Sequence, residues 1–249
     1  MKKNGVLKII VVGIFLSFSF LQPLYAKAPA TFTEAKKYAK QIFEESPHTF
    51  YCGCRYDKHN KINLKSCGYE IQKDKRRAAR LEWEHIMPVS LWGKDLDCWK
   101  KTVCCKEKKE CYKGRSCCRT KDPHFAAMEA DLHNIVPEIG ELNQLRSNYR
   151  FGVLPEVKEG RFGRCEIKID ADLRRVEPRD EVKGTVARAY LYMADQYGIT
   201  LSNSQRKLYT SWDKLYPPTS WEISWDEKVA KIQGNHNRFI TQHRGNLSW

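Results

Sequence analysis

Arg80-Leu-Glu-Trp-Glu-His-Ile-Met-Pro88 is the stretch on which the reading of this chain turns. Glu84 and His85 set a metal-ligand carboxylate beside an imidazole that can accept a proton. Consecutive side chains of a strand point to opposite faces. The pair can therefore serve one site only where the strand ends or twists, and Pro88, three residues on, supplies an end. A Glu-His pair in isolation is most often a solvated surface pair. Its weight comes from the polar residues downstream of it and from the charge around it.

The first boundary is the N-terminus. Lys2, Lys3 and Lys8 precede an apolar run from Ile9 to Leu21, and Leu24-Tyr25-Ala26 offers a small residue for cleavage, with Ala28 equally permitted. That is the layout of a secretory signal, and the run is short for a membrane span. Residues 1–26 are read as an export signal and 27–249 as one mature domain, periplasmic or secreted. The mature chain is long enough for one good-sized core. Lys and Arg number 44 against 30 Asp and Glu, a net charge of +14, of which the signal removes three lysines and no acid. The remaining excess favours polyanions: nucleic acid, lipopolysaccharide or an anionic membrane face.

All ten cysteines (Cys52, Cys54, Cys67, Cys98, Cys104, Cys105, Cys111, Cys117, Cys118 and Cys165) fall in the mature part. An even count in an exported chain reads as a disulfide framework. Zinc is the competitor, but no C-x-x-C occurs, and the neighbours Cys104-Cys105 and Cys117-Cys118 suit a tetrahedral site poorly. Six cysteines crowd into 98–118 among many lysines, as a stapled basic surface loop.

The remaining pattern predicts a helix over 32–46, where Thr31 and Glu34 form a capping box and Ala35, Tyr38, Ala39, Ile42 and Phe43 a stripe. Residues 49–83 read as loop and strand ending in a basic tract, Lys73 to Arg80. Met128 to Ile135 reads as extended. Pro137 is expected to open a helix running to about Asn148, with Ile139, Leu142 and Leu145 buried. Cys165 to Ile169 alternates like a strand. Val182 to Tyr197 is a strong amphipathic helix. Another runs from about Ser202 to Leu215, and a last one is capped by Ser224 and Glu227 and ends near Gln233.

Hydrolysis of a phosphodiester requires a base for water, cover for the charge growing on the phosphorane oxygens and on the leaving oxygen, and a grip on the strand. Histidine suits the first need. One hard cation meets the second, and magnesium, which keeps several waters, needs only a few oxygen ligands such as those of Glu84 and Asn143. An arginine fork can hold the phosphate.

His85 on a strand, Asn134 on a returning strand and Asn143 on a helix resemble a ββα-metal nuclease motif. The likeness goes further. Phe50-Tyr-Cys-Gly-Cys54, Cys67-Gly-Tyr69, Glu82-Trp-Glu-His85, Met128-Glu-Ala-Asp-Leu-His-Asn-Ile-Val-Pro137, Gly140-Glu-Leu-Asn-Gln-Leu-Arg-Ser-Asn148 and Ile232-Gln-Gly-Asn-His-Asn237 resemble the bacterial periplasmic or secreted endonuclease I family. The likeness covers essentially the whole mature chain. It implies an α+β fold: one mixed domain with a ββα-metal core in a mostly helical, disulfide-stapled scaffold. It implies a non-specific endonuclease acting on DNA and RNA through the phosphate backbone, leaving 5′-phosphate ends. The cofactor it implies is one Mg2+ ion, with Mn2+ or Ca2+ as alternatives. It further implies Glu84 and Asn143 as metal ligands, His85 as general base, Arg115 on the scissile phosphate, Asn134 orienting His85 through its backbone and Glu129 as an acidic residue behind the site. A monomer without lasting membrane association is expected once the signal is cleaved.

Against the family pattern, about eleven residues are inserted within 98–118, which leaves Arg119 and Lys113 as alternatives to Arg115. Spacing suggests Cys98–Cys118, Cys54–Cys67 and Cys52–Cys165, with one or two more bridges inside the insertion. His133 and Gly234-Asn-His-Asn237 read as scaffold, and the 73–80 tract as a contact for the nucleic-acid backbone. Two other classes compete: a non-catalytic basic binding protein and a metal-dependent phosphoesterase of small molecules.

Overall fold

The computed structural model describes residues 28–106, 110–155 and 161–243; the expected signal, 1–26, lies outside them. In chain order the helices and strands are α1 (Phe32–Phe43), α2 (Lys75–Ala78), β1 (Leu81–His85), α3 (Ser90–Gly93), α4 (Asp97–Lys100), β2 (Cys104–Cys105), β3 (Cys111–Tyr112), α5 (Arg115–Lys121), α6 (Pro123–Ala130), β4 (Ile135–Ile139), α7 (Gly140–Arg146), β5 (Arg150–Phe151), β6 (Lys168–Asp170), β7 (Arg175–Glu177), α8 (Asp180–Tyr197), α9 (Asn203–Leu215), α10 (Ser220–Gln233) and α11 (Arg238–Thr241). This is an α+β domain, and no described helix is long and apolar enough to cross a membrane.

The centre is β1 paired antiparallel with β4, Glu84 opposite Val136 and His85 opposite Ile135. Directly opposed residues share a face. One face is apolar, with Leu81, Trp83, Ile135, Pro137 and Ile139, and it meets α1, where Trp83 lies 6.0 Å from Phe43. The other carries Glu82, Glu84 and Glu138. Helix α7 follows β4 without a linker and packs on this acidic face. Gly140 permits that junction, because a Cβ there would lie 2.7 Å from the Arg77 carbonyl oxygen and 2.9 Å from Glu82 Oε1.

Pro137 is a strand residue opposite Trp83, not the start of a helix, and α7 begins three residues later. Its carbonyl faces away from β1 and accepts from Phe50 N at 2.9 Å. The proline nitrogen therefore also faces away from β1, where no ladder hydrogen bond is lost. Met128 to Ile135 is likewise not extended: α6 reaches Ala130 and a 3₁₀ turn covers Leu132–Asn134. Helix α1 stops at Phe43, and Glu34 turns back to Ala30 N rather than to the cap residue. Helix α10 starts at Ser220, capped by Thr219, one turn before the expected Ser224. The strand expected over 165–169 is the shorter β6.

The scaffold is built on α8, whose side chains from Val182 to Ala194 are all buried. Helix α9 lies along it, with Tyr190 and Tyr209 rings 4.5 Å apart. Between α8, α9 and α10 the buried Arg188 donates to Glu222 (2.7 and 2.6 Å) and to Asp213 (3.1 Å). The three disulfides suggested by spacing are present, and Cys104–Cys117 and Cys105–Cys111 complete five.

Candidate active site

β1 keeps its alternation through His85, its last residue, so the two key side chains point to opposite faces and the strand end does not bring them together. Glu84 turns toward α7, whereas the His85 ring packs 4.7 Å from the Phe32 ring on the other side. The end of the strand is held from two directions. Arg146, fully buried on α7, donates to Glu84 Oε1 (2.7 Å), to the His85 carbonyl (2.9 Å) and to the Ile86 carbonyl (2.5 Å). Asn134 accepts from Met87 N (2.7 Å) and donates to the Met87 carbonyl (3.1 Å), locking the turn beyond the strand.

The His85 ring itself is held by the backbone carbonyl of Glu129, 2.8 Å from Nε2, while Asn134 acts on the main chain just beyond it, at Ile86 and Met87. A carbonyl only accepts, so Nε2 carries the proton and Nδ1 the lone pair. Arg115 Nη2 lies 3.4 Å from that lone pair. Burial, together with the Arg115 charge, pushes the imidazole down to about 3, so the ring is neutral at working pH.

Arg115 and Arg119 lie four apart on α5, on one face, and both donate to the buried Glu129 carboxylate, Arg119 at 2.5 and 2.6 Å. Burial acts to raise the Glu129 carboxyl, but the two arginines outweigh it and hold it below the usual range. Both guanidinium side chains remain over a third exposed. Arg115 alone also reaches His85, and it stacks over Phe32. Lys113 precedes the helix and is exposed.

On the acidic face, Glu82 and Glu84 are two residues apart on β1, and Asn143 and Arg146 are three apart on α7, so they meet as two rungs. Asn143 Nδ2 donates to Glu82 Oε2 at 3.1 Å, and Arg146 meets Glu84. Glu82 also takes paired bonds from Arg77 (2.9 and 2.8 Å) and Arg80 (3.0 and 2.8 Å), which is where two basic residues of the 73–80 tract go. A carboxylate only accepts, so Asn143 must offer it the NH2 group and is left with Oδ1 free. Glu84 uses Oε1 for both Arg146 and the Tyr51 hydroxyl (3.3 Å), leaving Oε2 without a side-chain donor. Burial raises the Glu84 carboxyl, opposed by Arg146. Burial also pushes Glu138 up to about 8, although it accepts from Tyr51 N (2.6 Å) and Ile139 N (2.8 Å).

Two hard oxygens without side-chain donors, Glu84 Oε2 and Asn143 Oδ1, are a donor set that fits one hard divalent cation. Among the described residues no group of three or more His, Cys, Asp or Glu side chains is arranged to hold a metal, so a carboxylate-plus-amide site is the arrangement on offer. Sequence reading missed Arg146, Tyr51 and Glu82. The spacings Glu82/Glu84 and Asn143/Arg146 were the available signal. His133 is scaffold: its Nε2 meets the Asn235 carbonyl at 3.0 Å, and Gly234 forms the left-handed C-cap of α10.

A family model described as Endonuclease I matches residues 3–244. Among curated proteins the chain is 38% identical over 243 residues to a periplasmic deoxyribonuclease of Aeromonas hydrophila, covering 96% of this chain and 97% of that one. It is 40% identical over 222 residues to an extracellular deoxyribonuclease of the same organism, covering 88% and 91%. It is 42% identical over 213 residues to Endonuclease-1 of Buchnera aphidicola subsp. Baizongia pistaciae, covering 84% and 82%.

Proposed function

The chain belongs to the endonuclease I family, and on that premise we propose that it cuts DNA and RNA internally with little base preference, by one-metal hydrolysis with His85 as general base, leaving 5′-phosphate ends. It is a nuclease, a hydrolase acting on nucleic acid, and it is periplasmic or secreted. The observation that carries the mechanism is the neutral His85 ring, pinned at Nε2 by a carbonyl with Nδ1 beside the exposed Arg115.

Each residue has a task set by its contacts. Arg115, poised between Glu129 and His85, swings its free N–H groups onto the oxygens of an arriving phosphodiester. This uncovers Nδ1. The phosphate charge also offsets the guanidinium that depresses the ring, so His85 becomes a stronger base when substrate is in place. His85 Nδ1 then takes a proton from the attacking water, the P–O3′ bond breaks, O3′ leaves as a 3′-hydroxyl after taking a proton from solvent, and the phosphate stays on the 5′ carbon. Glu129 holds both arginines in register, and Arg146 keeps Glu84 and the end of β1 in one geometry.

Glu84 and Asn143 would hold the cation, Mg2+ in this reading with Mn2+ or Ca2+ as alternatives; when bound it neutralises charge on the phosphate and on the leaving oxygen. Glu82 is a positioning residue: by claiming the Asn143 NH2 group it turns the amide oxygen outward. Non-specificity has a physical basis, because phosphate contacts fix position without reading bases.

Plasmid DNA and single-stranded RNA incubated with the oxidised mature protein test this. Magnesium-dependent nicking, abolished by a chelator, with ends that accept label only after phosphatase treatment, is expected. Retention of DNA without cleavage would replace the reading with a binding protein. Hydrolysis of a nitrophenyl phosphodiester with an intact plasmid would replace it with a small-molecule phosphoesterase.

A further inference from the structure

We infer that the disulfide-stapled segment around β2 and β3 is a second contact for the nucleic-acid backbone, gripping duplex phosphates beside the cut through Lys100, Lys101 and Lys106. This rests on the nuclease reading above. Residues 94–122 hold ten basic and five acidic residues, so 29 of the 249 positions supply +5 of the +14 charge.

The lysine side chains stand well out of the surface: 53% exposed for Lys100, 65% for Lys101 and 67% for Lys106. Their acidic neighbours are as open. Lys100 meets Asp95 at 3.3 Å, Lys101 meets Asp97 at 3.0 Å and Lys106 meets Glu110 at 3.6 Å. Exposed pairs of this kind contribute only about 0–1 kcal/mol, so a row of phosphates competes with them easily.

What distinguishes the segment from an ordinary solvated face is how it is fastened. Cys98–Cys118 and Cys104–Cys117 tie α4 and β2 to adjacent residues of α5, and Cys105–Cys111 closes the β2–β3 pair. Gly114 N donates to the Cys98 carbonyl at 2.9 Å. Helix α5 is the helix that presents Arg115 and Arg119 at Glu129. Strand β3 ends at Tyr112, three residues before Arg115, which is about 10 Å of extended chain at most. The lysines therefore sit at a fixed offset from the phosphate-facing arginine. Cys98, Cys104, Cys117 and Cys118 anchor the segment in the core, with Trp99 packed against Phe125, while Val103 is 46% exposed and the lysines stand outward. Three covalent ties on so polar a stretch serve placement of charge.

The test compares the oxidised wild type with the combined variant Lys100→Gln, Lys101→Gln, Lys106→Gln on a long DNA duplex and on a dinucleotide too short to reach the segment. Each phosphate contact contributes close to one unit to the slope of log affinity against log salt. The variant should raise KM for the duplex about tenfold at fixed moderate salt and flatten that slope by about two to three, with kcat and dinucleotide cleavage within about twofold. An unchanged KM and slope would overturn the inference. So would an equal loss on the dinucleotide, which would place the lysines within the cutting site. Loss of binding to anionic lipid vesicles with duplex KM intact would move the surface to a membrane and also overturn it. A wild type that does not cut DNA with magnesium would instead remove the nuclease reading itself.

Discussion

Around His85 the chain is secured by disulfides and by side chains clamped onto main chain; around Arg188 it is secured by helices closing over one buried ion network. Every disulfide lies between Cys52 and Cys165. Helices α8, α9 and α10 hold none and rely on apolar burial, with Arg188, Glu222, Asp213 and Thr185 satisfying one another inside. The difference arises from the surface each region presents. The site half shares the core, with Glu84, His85, Glu129 and Arg146 buried, but it must also hold Arg115 and Arg119 partly open on a short helix, and its cross-links, over loops of 6 to 113 residues, contribute about 2–5 kcal/mol each in the chain-entropy account. Stability and chemistry are thereby placed in different parts of one domain, and perturbing either should leave the other largely intact.

The largest expected effect lies on the site side. His85→Ala should lower turnover on plasmid DNA by about 10²–10⁴-fold while retaining DNA binding, measured side by side with a cleavage assay and a gel-shift in chelator. Equal turnover by the variant would remove His85 from the mechanism. Next in size, complete reduction of the disulfides should release α5 and its two arginines and lower kcat/KM about 100-fold, while far-UV circular dichroism keeps the α8–α10 helicity. Full activity after all ten thiols have been counted free would break the contrast between the two regions.

Arg188→Ala probes the opposite region. It leaves Glu222 and Asp213 buried without their partner, a loss of about 3–5 kcal/mol that should appear as a fall of about 10 °C in Tm for a domain of this size. Turnover per folded molecule at 25 °C should not change. A proportionate loss of kcat would show that the two regions are coupled. The smallest effect concerns the amide: Glu82→Ala should weaken Mn2+ binding without DNA about tenfold, because Arg77 and Arg80 are then free to draw in the Asn143 oxygen. Glu82→Gln, which keeps a carbonyl acceptor, should retain most of the affinity. Identical calorimetric titrations for wild type and Glu82→Ala would dismiss the positioning role.

The two regions were not equally legible in the sequence. The helical scaffold was, because α8 and α9 carry long 3.6-residue patterns and Ser202–Gln205 a full capping box. The Glu84–His85 strand, Asn143 on a helix and Arg115 came with family-like blocks, and the spacing of cysteines anticipated three of the bridges. Pro137 misled because the rule against proline in strands does not apply where the nitrogen faces away from the ladder. The grip on His85 was invisible for another reason: a main-chain carbonyl, that of Glu129, does the holding, and it leaves no side-chain signature. Arg146 reads as any polar helix residue until β1 is placed beneath α7.

The division of labour between the two regions requires the acidic face to be the place where one divalent ion meets the strand end. Anomalous scattering from a crystal soaked in Mn2+ addresses this most directly. One peak touching Glu84 Oε2 and Asn143 Oδ1, lost in Asn143→Ala, is the predicted result. Saturating Mn2+ with no peak between those two side chains would contradict it.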